Sequence, residues 1–335
     1  MATVGQWVQG ARPRTLPAAV APVLLGTAAA YLVLVPVLRW DVSRCGWFGS
    51  PPLGLDEAAC EAYPVLDSHA AAAWTVFSLR ALLALVVSLA LQVGVNYAND
   101  YSDGIRGTDD ARVGPVRLVG QGLAPARQVR LAAFASFGVA ALAGLALVLA
   151  TQAWWLVIVG LAAIVAAWLY TGGPRPYGYA GLGEVFVFVF FGLVAVMGST
   201  YVQTLTFTAV ALGCGVASGS LSVAILLANN LRDIPSDTIS GKRTLAVRVG
   251  DAGTRTMYSL AIAVPYLVAV AIAISHVPWA LLAFVSVPLA VRPTRIVRSG
   301  AGGRDLVPVL AGTGLLLLGY AVALSLGLVV QGIAA

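Results

Sequence analysis

The stretch Asn96-Tyr97-Ala98-Asn99-Asp100-Tyr101-Ser102-Asp103-Gly104-Ile105-Arg106-Gly107-Thr108-Asp109-Asp110 follows directly on an apolar run, residues 81–95, and decides how the chain reads. Carboxylates at the mouth of such a run belong to a membrane helix that ends on chemistry, because ionised groups there face a cavity, a partner or the interface. If the run continues as a helix, Asn96, Asp100 and Asp103 recur at i, i+4 and i+7 and share a face. A second stretch, Asn229-Asn230-Leu231-Arg232-Asp233-Ile234-Pro235-Ser236-Asp237-Thr238-Ile239-Ser240-Gly241-Lys242, closes another apolar run. Asn229, Asp233 and Asp237 recur at i, i+4 and i+8, a register that Pro235 strains. Each stretch gives Asn, Asp four residues later, a second Asp three or four residues on, and Gly four after that. The two read as a weak parallel internal repeat that presents carboxylates to one cavity.

Outward from these motifs the composition is that of a membrane protein: of 335 residues, 59% are hydrophobic and 10% charged, against roughly 25% charged in soluble domains. Soluble multi-domain, disordered and nucleic-acid-binding classes are excluded. Three cysteines without a CxxC pair and two histidines, His69 and His276, argue against zinc, haem and Cys/His catalysis. Windows of about 20 apolar residues give nine spans near 16–38, 80–98, 131–151, 153–170, 183–203, 206–228, 257–275, 277–291 and 306–331. The expected fold is therefore all-α, one polytopic transmembrane domain over 1–335. No small-residue cleavage site precedes polar sequence, so the first span is expected to stay in the mature protein.

Charge sets the orientation. With the N-terminus cytoplasmic, seventeen of the twenty basic residues fall in inner segments and only Arg39, Arg44 and Arg80 lie outside. Residues 99–130 and 229–255 are then cytoplasmic, residues 39–79 an extracytoplasmic loop, and the C-terminus is outside. Cys45 and Cys60 in that loop could close a disulfide or stay as two thiols. Cys214, within the sixth span, reads as a small buried hydrophobe.

Carboxylates gathered at the ends of apolar helices repel one another unless a cation sits between them. Oxygen ligands from Asp and Asn select a hard ion, and Mg²⁺ bridges one or two carboxylates to phosphate. A proton or Na⁺ relay would place its acids near the bilayer midplane; these lie at helix mouths beside basic residues. Lys242 is the only lysine, and with Arg112, Arg117 and Arg175 it supplies positive charge where a diphosphate needs it. The connection over residues 170–184, rich in Gly, Pro and Tyr, can fold over a site as a lid, with Tyr177 and Tyr179 offering hydroxyls or ring faces. Tyr179 equally suits an aromatic belt.

These residues resemble the UbiA superfamily of membrane prenyltransferases, marked by two Asp-rich motifs on helices of a nine-span bundle around a cavity open to the cytoplasm. Within it they are most similar to the branch acting on 1,4-dihydroxy-2-naphthoate. The resemblance is carried by residues 11–17 (Ala-Arg-Pro-Arg-Thr-Leu-Pro), Asn99 through Asp109, Arg112 through Arg117, Asn229 through Leu245, and the glycine-rich loop into Gly183 and Glu184. It implies Mg²⁺ held by Asp100, Asp103, Asp233 and Asp237 with help from Asn96 or Asn99. It implies a polyprenyl diphosphate donor whose remaining charge is met by Lys242, Arg112, Arg117, Arg175 and Arg14, with Tyr177, Tyr179 and Asp109 at the acceptor or in the lid. The implied reaction alkylates the naphthoate with loss of CO₂ and diphosphate, giving demethylmenaquinone, in the bilayer of a bacterial plasma membrane. In one respect the chain departs from ubiquinone-type members: Gly107 stands where they carry a third aspartate, and Asp109 follows two residues later. Other superfamily branches, acting on 4-hydroxybenzoate, homogentisate, haem or a sugar phosphate, fit the Gly107-Thr108-Asp109 and Arg112-to-Arg117 strings less well. A secondary transporter would place acids on two related helices but would leave the following glycines and basic residues unexplained.

Overall fold

A computed structural model describes residues 2–38, 63–107 and 116–334, and among them every regular element is helical. A short α1 (Val4–Gly10) precedes α2 (Pro17–Leu38), α3 (Tyr63–Ile105), α4 (Ala126–Thr151), α5 (Leu156–Leu169), α6 (Gly183–Thr204), α7 (Ala209–Ile239), α8 (Leu245–Ile274), α9 (Pro278–Arg298) and α10 (Gly303–Ala334). Eight of these are long and apolar enough to cross a membrane. The ninth expected span is α5, 14 residues long, or about 21 Å at 1.5 Å per residue. Tight turns from Ala153 to Val157 lead into it, with Leu156 N–H on Ala153 C=O at 3.0 Å.

Three limits differ from the sequence reading. Helix α3 starts at Tyr63, inside the segment assigned to the outer loop. Helix α8 starts at Leu245, twelve residues before the expected span, and bends at Gly250, whose φ is 76°. Helix α7 runs through Pro235 to Ile239. That proline is tolerated in the last two turns, where the Ser236 hydroxyl donates to Asp233 C=O at 3.0 Å and the Thr238 hydroxyl to Ile234 C=O at 2.7 Å. Cys45, Cys60, Asp109 and Arg112 lie outside the described residues.

The core is built where small residues let helices approach, as membrane bundles require when burial of apolar surface alone gives no drive to associate. Ala21, Ala28 and Ala29 of α2, Ala217, Ala224 and Ala228 of α7, and Tyr320, Ala321 and Leu324 of α10 are buried in one cluster. At Gly192 a Cβ would stand 2.5 Å from Gly215 O and 2.6 Å from Gly219 Cα, so α6 and α7 pack backbone to backbone. Gly192 lies in a π turn over Phe188–Val194, a local widening frequent at functional sites. Bulky residues such as Leu142, Ile158, Leu267 and Ile274 are exposed on the outside of the bundle, the face that lipid would cover. Two polar ties cross this core: the Tyr258 and Thr313 hydroxyls meet at 2.7 Å, and the Tyr320 hydroxyl donates to Pro265 C=O at 2.7 Å. Alternation of the spans gathers the starts of α2, α4, α6, α8 and α10 with the ends of α3, α5, α7 and α9 at one end of the bundle. Helix α1, fixed by a Thr3–Gln6 capping box, docks there through Trp7, whose C=O accepts the Tyr97 hydroxyl at 2.9 Å.

Candidate active site

At that end the second aspartate of each motif sits just before its helix stops, Asp103 ahead of Ile105 and Asp237 ahead of Ile239. Gly107 and Gly241 take left-handed φ of 67° and 73°, a conformation glycine adopts at little cost. The common spacing of Asp and Gly in the two motifs thus fixes where each helix ends relative to its carboxylate. Asp103 and Asp237 both line one cavity of about 950 Å³. The Tyr179 hydroxyl donates to Asp103 Oδ1. Lys242 Nζ stands 3.5 Å from the same oxygen and 4.4 Å from the centre of the Tyr179 ring. The backbone holds this group together: Lys242 N–H donates to Asp237 C=O at 2.8 Å and Arg243 N–H to Tyr179 C=O at 2.9 Å. Arg106, in the turn just after α3, donates to the carbonyls of Thr171 and Gly173 and so ties the 170–182 loop over the site.

Of the residues singled out from the sequence, Asp103, Asp237, Lys242, Asn99, Arg117, Arg14 and Tyr179 share this cavity. Others are placed elsewhere. Asp100 is fully buried and its two oxygens accept Leu118 N–H at 2.8 Å and Val119 N–H at 3.0 Å, so it anchors the strap after the first motif. Asp233 is held in a two-pronged ion pair by Arg232, at 2.7 and 2.8 Å, with both side chains buried. Asn96 donates to Ala11 C=O at 2.9 Å and Thr15 Oγ1 at 3.1 Å, bracing the turn before α2. Arg175 is exposed and outside the cavity. Tyr177 stacks on Phe186 at 4.0 Å and donates to Ala166 C=O at 2.8 Å. Burial pushes its phenol well above the ordinary range, so it stays a donor. It lines a second, apolar cavity of about 540 Å³, which shares Gln92, Asn99, Tyr170, Val187 and Phe191 with the first.

The cavity also recruits residues that were read from the sequence only as topology or motif fillers. Arg12, Arg232 and Arg304 join Arg14, Arg117 and Lys242 on its wall, six cations against the two carboxylates Asp103 and Asp237. Arg12 takes a left-handed φ of 55°, strain that a non-glycine residue keeps only where surrounding structure demands it. Its place beside Pro13 in the 11–17 stretch was the available signal. Asn230 lines the wall while its amide donates to the buried Glu184 at 2.9 Å. Gln92, in mid-helix, carried no signal.

Among the described residues no three carboxylate, His or Cys side chains converge as a metal cage. What the cavity wall does bring together is one carboxylate from each motif with the side chains of Asn99 and Asn229, whose amide oxygens accept from the Thr171 hydroxyl and from Arg232, each at 2.8 Å. This oxygen-only, open set fits a hard divalent ion that completes its shell with water and phosphate oxygens. The positive excess around it fits a polyanion, and the contiguous apolar cavity fits a hydrocarbon chain.

Fold and site together define a membrane-embedded enzyme for a lipid-tailed, multiply charged anion. The chain belongs to the UbiA prenyltransferase family, which its residues 63–305 match. It is 50% identical over 325 residues to the 1,4-dihydroxy-2-naphthoate octaprenyltransferase of Mycobacterium tuberculosis, covering 97% of each chain. To the Escherichia coli protein of the same name it is 35% identical, covering 90% of this chain and 86% of the other. A UbiA homologue from Archaeoglobus fulgidus, solved bound to GPP and Mg²⁺, shares the fold at a TM-score of 0.55 over 96% of this chain and 99% of that one, at 13% identity.

Proposed function

We propose that the protein transfers a polyprenyl group from polyprenyl diphosphate to 1,4-dihydroxy-2-naphthoate, releasing diphosphate and CO₂ and giving the demethylmenaquinone skeleton. The observation that carries the catalytic part is the meeting of Asp103, Asp237 and Lys242 in a cation-rich cavity that runs into an apolar one. The acceptor follows from similarity to the naphthoate prenyltransferases along nearly the whole chain.

In this reading the diphosphate sits between the two motifs. Asp103 and Asp237, with Asn99 and Asn229 beside them, would hold Mg²⁺, and the ion would supply charge that stabilises the leaving diphosphate oxygens. Lys242, Arg117 and Arg12 face the same anion from fixed positions, so no solvent must reorganise as the allylic C–O bond breaks. Asp100 and Asp233 act one step back: Asp100 holds the strap that carries Arg117, and Asp233 aims Arg232. The prenyl tail lies in the second cavity, against Phe186, Phe190 and Phe191. Both cavities lie within the bundle, which limits the water that would trap the allyl cation as an alcohol. The ring attacks C1 of the donor, and the carboxylate leaves as CO₂, its bonding electrons restoring the aromatic ring. Cation and carboxylate thereby give a neutral product without a net proton transfer.

Purified protein given a polyprenyl diphosphate and the naphthoate should release diphosphate only with Mg²⁺ present. Full turnover in excess EDTA would remove the metal from the account. Lys242→Ala should leave one charge-assisted contact unmade, costing about 1.5–3 kcal/mol, or roughly 10- to 100-fold in kcat/KM for the donor. Lys242→Arg should recover part of it, because shape and hydration differ. Steady-state kinetics with the donor varied reads this directly, and an unchanged kcat/KM removes Lys242 from the diphosphate site.

The motif end of the bundle faces the cytoplasm in this proposal, with the N-terminus inside and the C-terminus outside a bacterial plasma membrane. In a background without Cys45, Cys60 and Cys214, a cysteine at Thr206 should react with an impermeant maleimide added to intact cells. One at Ser299, at the opposite end of the bundle, should react only after lysis. The reverse pattern would invert the topology.

A further inference from the structure

Two buried side-chain oxygens in the main cavity have no hydrogen-bond partner among the described residues: Gln92 Oε1 and Ser222 Oγ. Gln92 is 5% exposed and Ser222 4%, and both line the cavity. Leaving such groups unpaired inside a membrane bundle costs free energy unless a ligand meets them. The orientation of Gln92 is fixed by its surroundings. Thr15 spends its hydroxyl proton on Arg12 C=O at 2.9 Å, so Thr15 Oγ1 can only accept, and it accepts Gln92 Nε2–H at 2.9 Å. The amide oxygen of Gln92 is therefore the atom left over, a pure acceptor that calls for an O–H or N–H donor.

Depth places these atoms relative to the chemistry. Gln92 lies eleven residues before Asp103 and Ser222 fifteen before Asp237, or about 16 and 22 Å along the helices at 1.5 Å per residue. That interval accommodates, in order from the carboxylates, a diphosphate, the allylic carbon bonded to it, and one further ring. Beside Thr15, which Gln92 meets, the wall carries the apolar Phe191, Ile225 and Leu310, and Phe191 lines both cavities from the π turn.

We infer that the deep end of the main cavity is the acceptor site, where Gln92 Oε1 and Ser222 Oγ accept the two phenolic hydroxyls of an aromatic diol. This rests on the proposed function and adds to it the residues that recognise the ring. Two acceptors at an apolar floor favour a ring with two O–H donors over a monohydroxylated one, since the latter leaves one buried oxygen unpaired. Gln92 and Ser222 are binding residues in this assignment; they touch neither metal nor diphosphate.

The test uses the full-length protein in lipid nanodiscs, with 1,4-dihydroxy-2-naphthoate and, as probe, 1-hydroxy-2-naphthoate, which lacks one hydroxyl. Gln92→Leu and Ser222→Ala should each raise KM for the diol about ten-fold or more, the worth of one buried hydrogen bond; KM for the donor should stay unchanged in Ser222→Ala and rise less than that for the diol in Gln92→Leu, because Gln92 also borders the tail cavity. Anaerobic calorimetric titration of the diol without donor should show the same loss of affinity. Wild type should bind the diol more tightly than the probe, and one of the two variants should lose that preference. Ser222→Ala should keep the wild-type Tm or raise it, because the hydroxyl it removes is unpaired without ligand. Wild-type turnover combined with unchanged acceptor KM in both variants, or with equal rises for donor and acceptor, overturns this assignment alone. A wild-type protein that neither binds nor prenylates the naphthoate overturns the proposed function and this inference together.

Discussion

Asp103→Asn and Asp237→Asn are each expected to lower kcat for prenyl transfer by about 10²–10³-fold or more, the scale of losing one preorganised electrostatic contact to the leaving group, with the helical fold retained. Asparagine keeps the shape and one oxygen but removes the charge that would hold Mg²⁺ against the diphosphate. Both aspartates are buried, both line the cavity, and each comes from a different motif, so neither can stand in for the other. Diphosphate release by the purified variants, with circular dichroism and thermal unfolding in the same detergent, checks both halves of the expectation. Wild-type turnover in either variant would break the assignment.

Asp233→Ala should behave differently, although the sequence pattern sets it beside Asp237. Its carboxylate is closed in a buried two-pronged pair with Arg232. Removing one partner leaves an uncompensated buried cation, which costs about 3–5 kcal/mol of stability. The variant should therefore unfold at a clearly lower temperature, and its activity should fall because Arg232 loses its aim into the cavity. Asp233→Ala combined with Arg232→Leu should regain stability without regaining activity. If Asp233→Ala instead kept the wild-type Tm and lost only turnover, Asp233 would belong with the metal-binding carboxylates.

This difference between aspartates marks the boundary of what was legible beforehand. The apolar runs and the Asp-to-Gly spacing gave the all-helical bundle and the two motif ends, because those depend on local pattern and on the bilayer. The site needed contacts between segments distant in the chain. Asp100 and Asp103 share a helix face, yet the backbone N–H groups of Leu118 and Val119, fifteen or more residues away, occupy Asp100 and leave Asp103 on the cavity. Tyr177 and Tyr179 are two residues apart in one tight turn, and that turn sends one ring to the apolar cavity and the other over Lys242. Arg12 reaches the cavity through a left-handed turn, and Gln92 looks like any polar residue inside a span. Pro235, which strains the register of the second motif, lies inside α7, and the helix continues past it to Ile239 with Asp237 still helical.

The central claim is the pairing of a polyprenyl donor with a dihydroxynaphthoate acceptor at this site. Mass spectrometry of the lipid product tests it most directly, with purified protein, Mg²⁺, one polyprenyl diphosphate, and 1,4-dihydroxy-2-naphthoate in competition with 4-hydroxybenzoate and homogentisate. The account predicts a single prenylated naphthalenediol that has lost its carboxyl group, with diphosphate released in equal amount. A prenylated benzoate or homogentisate product, or no diphosphate release with any acceptor, would contradict it.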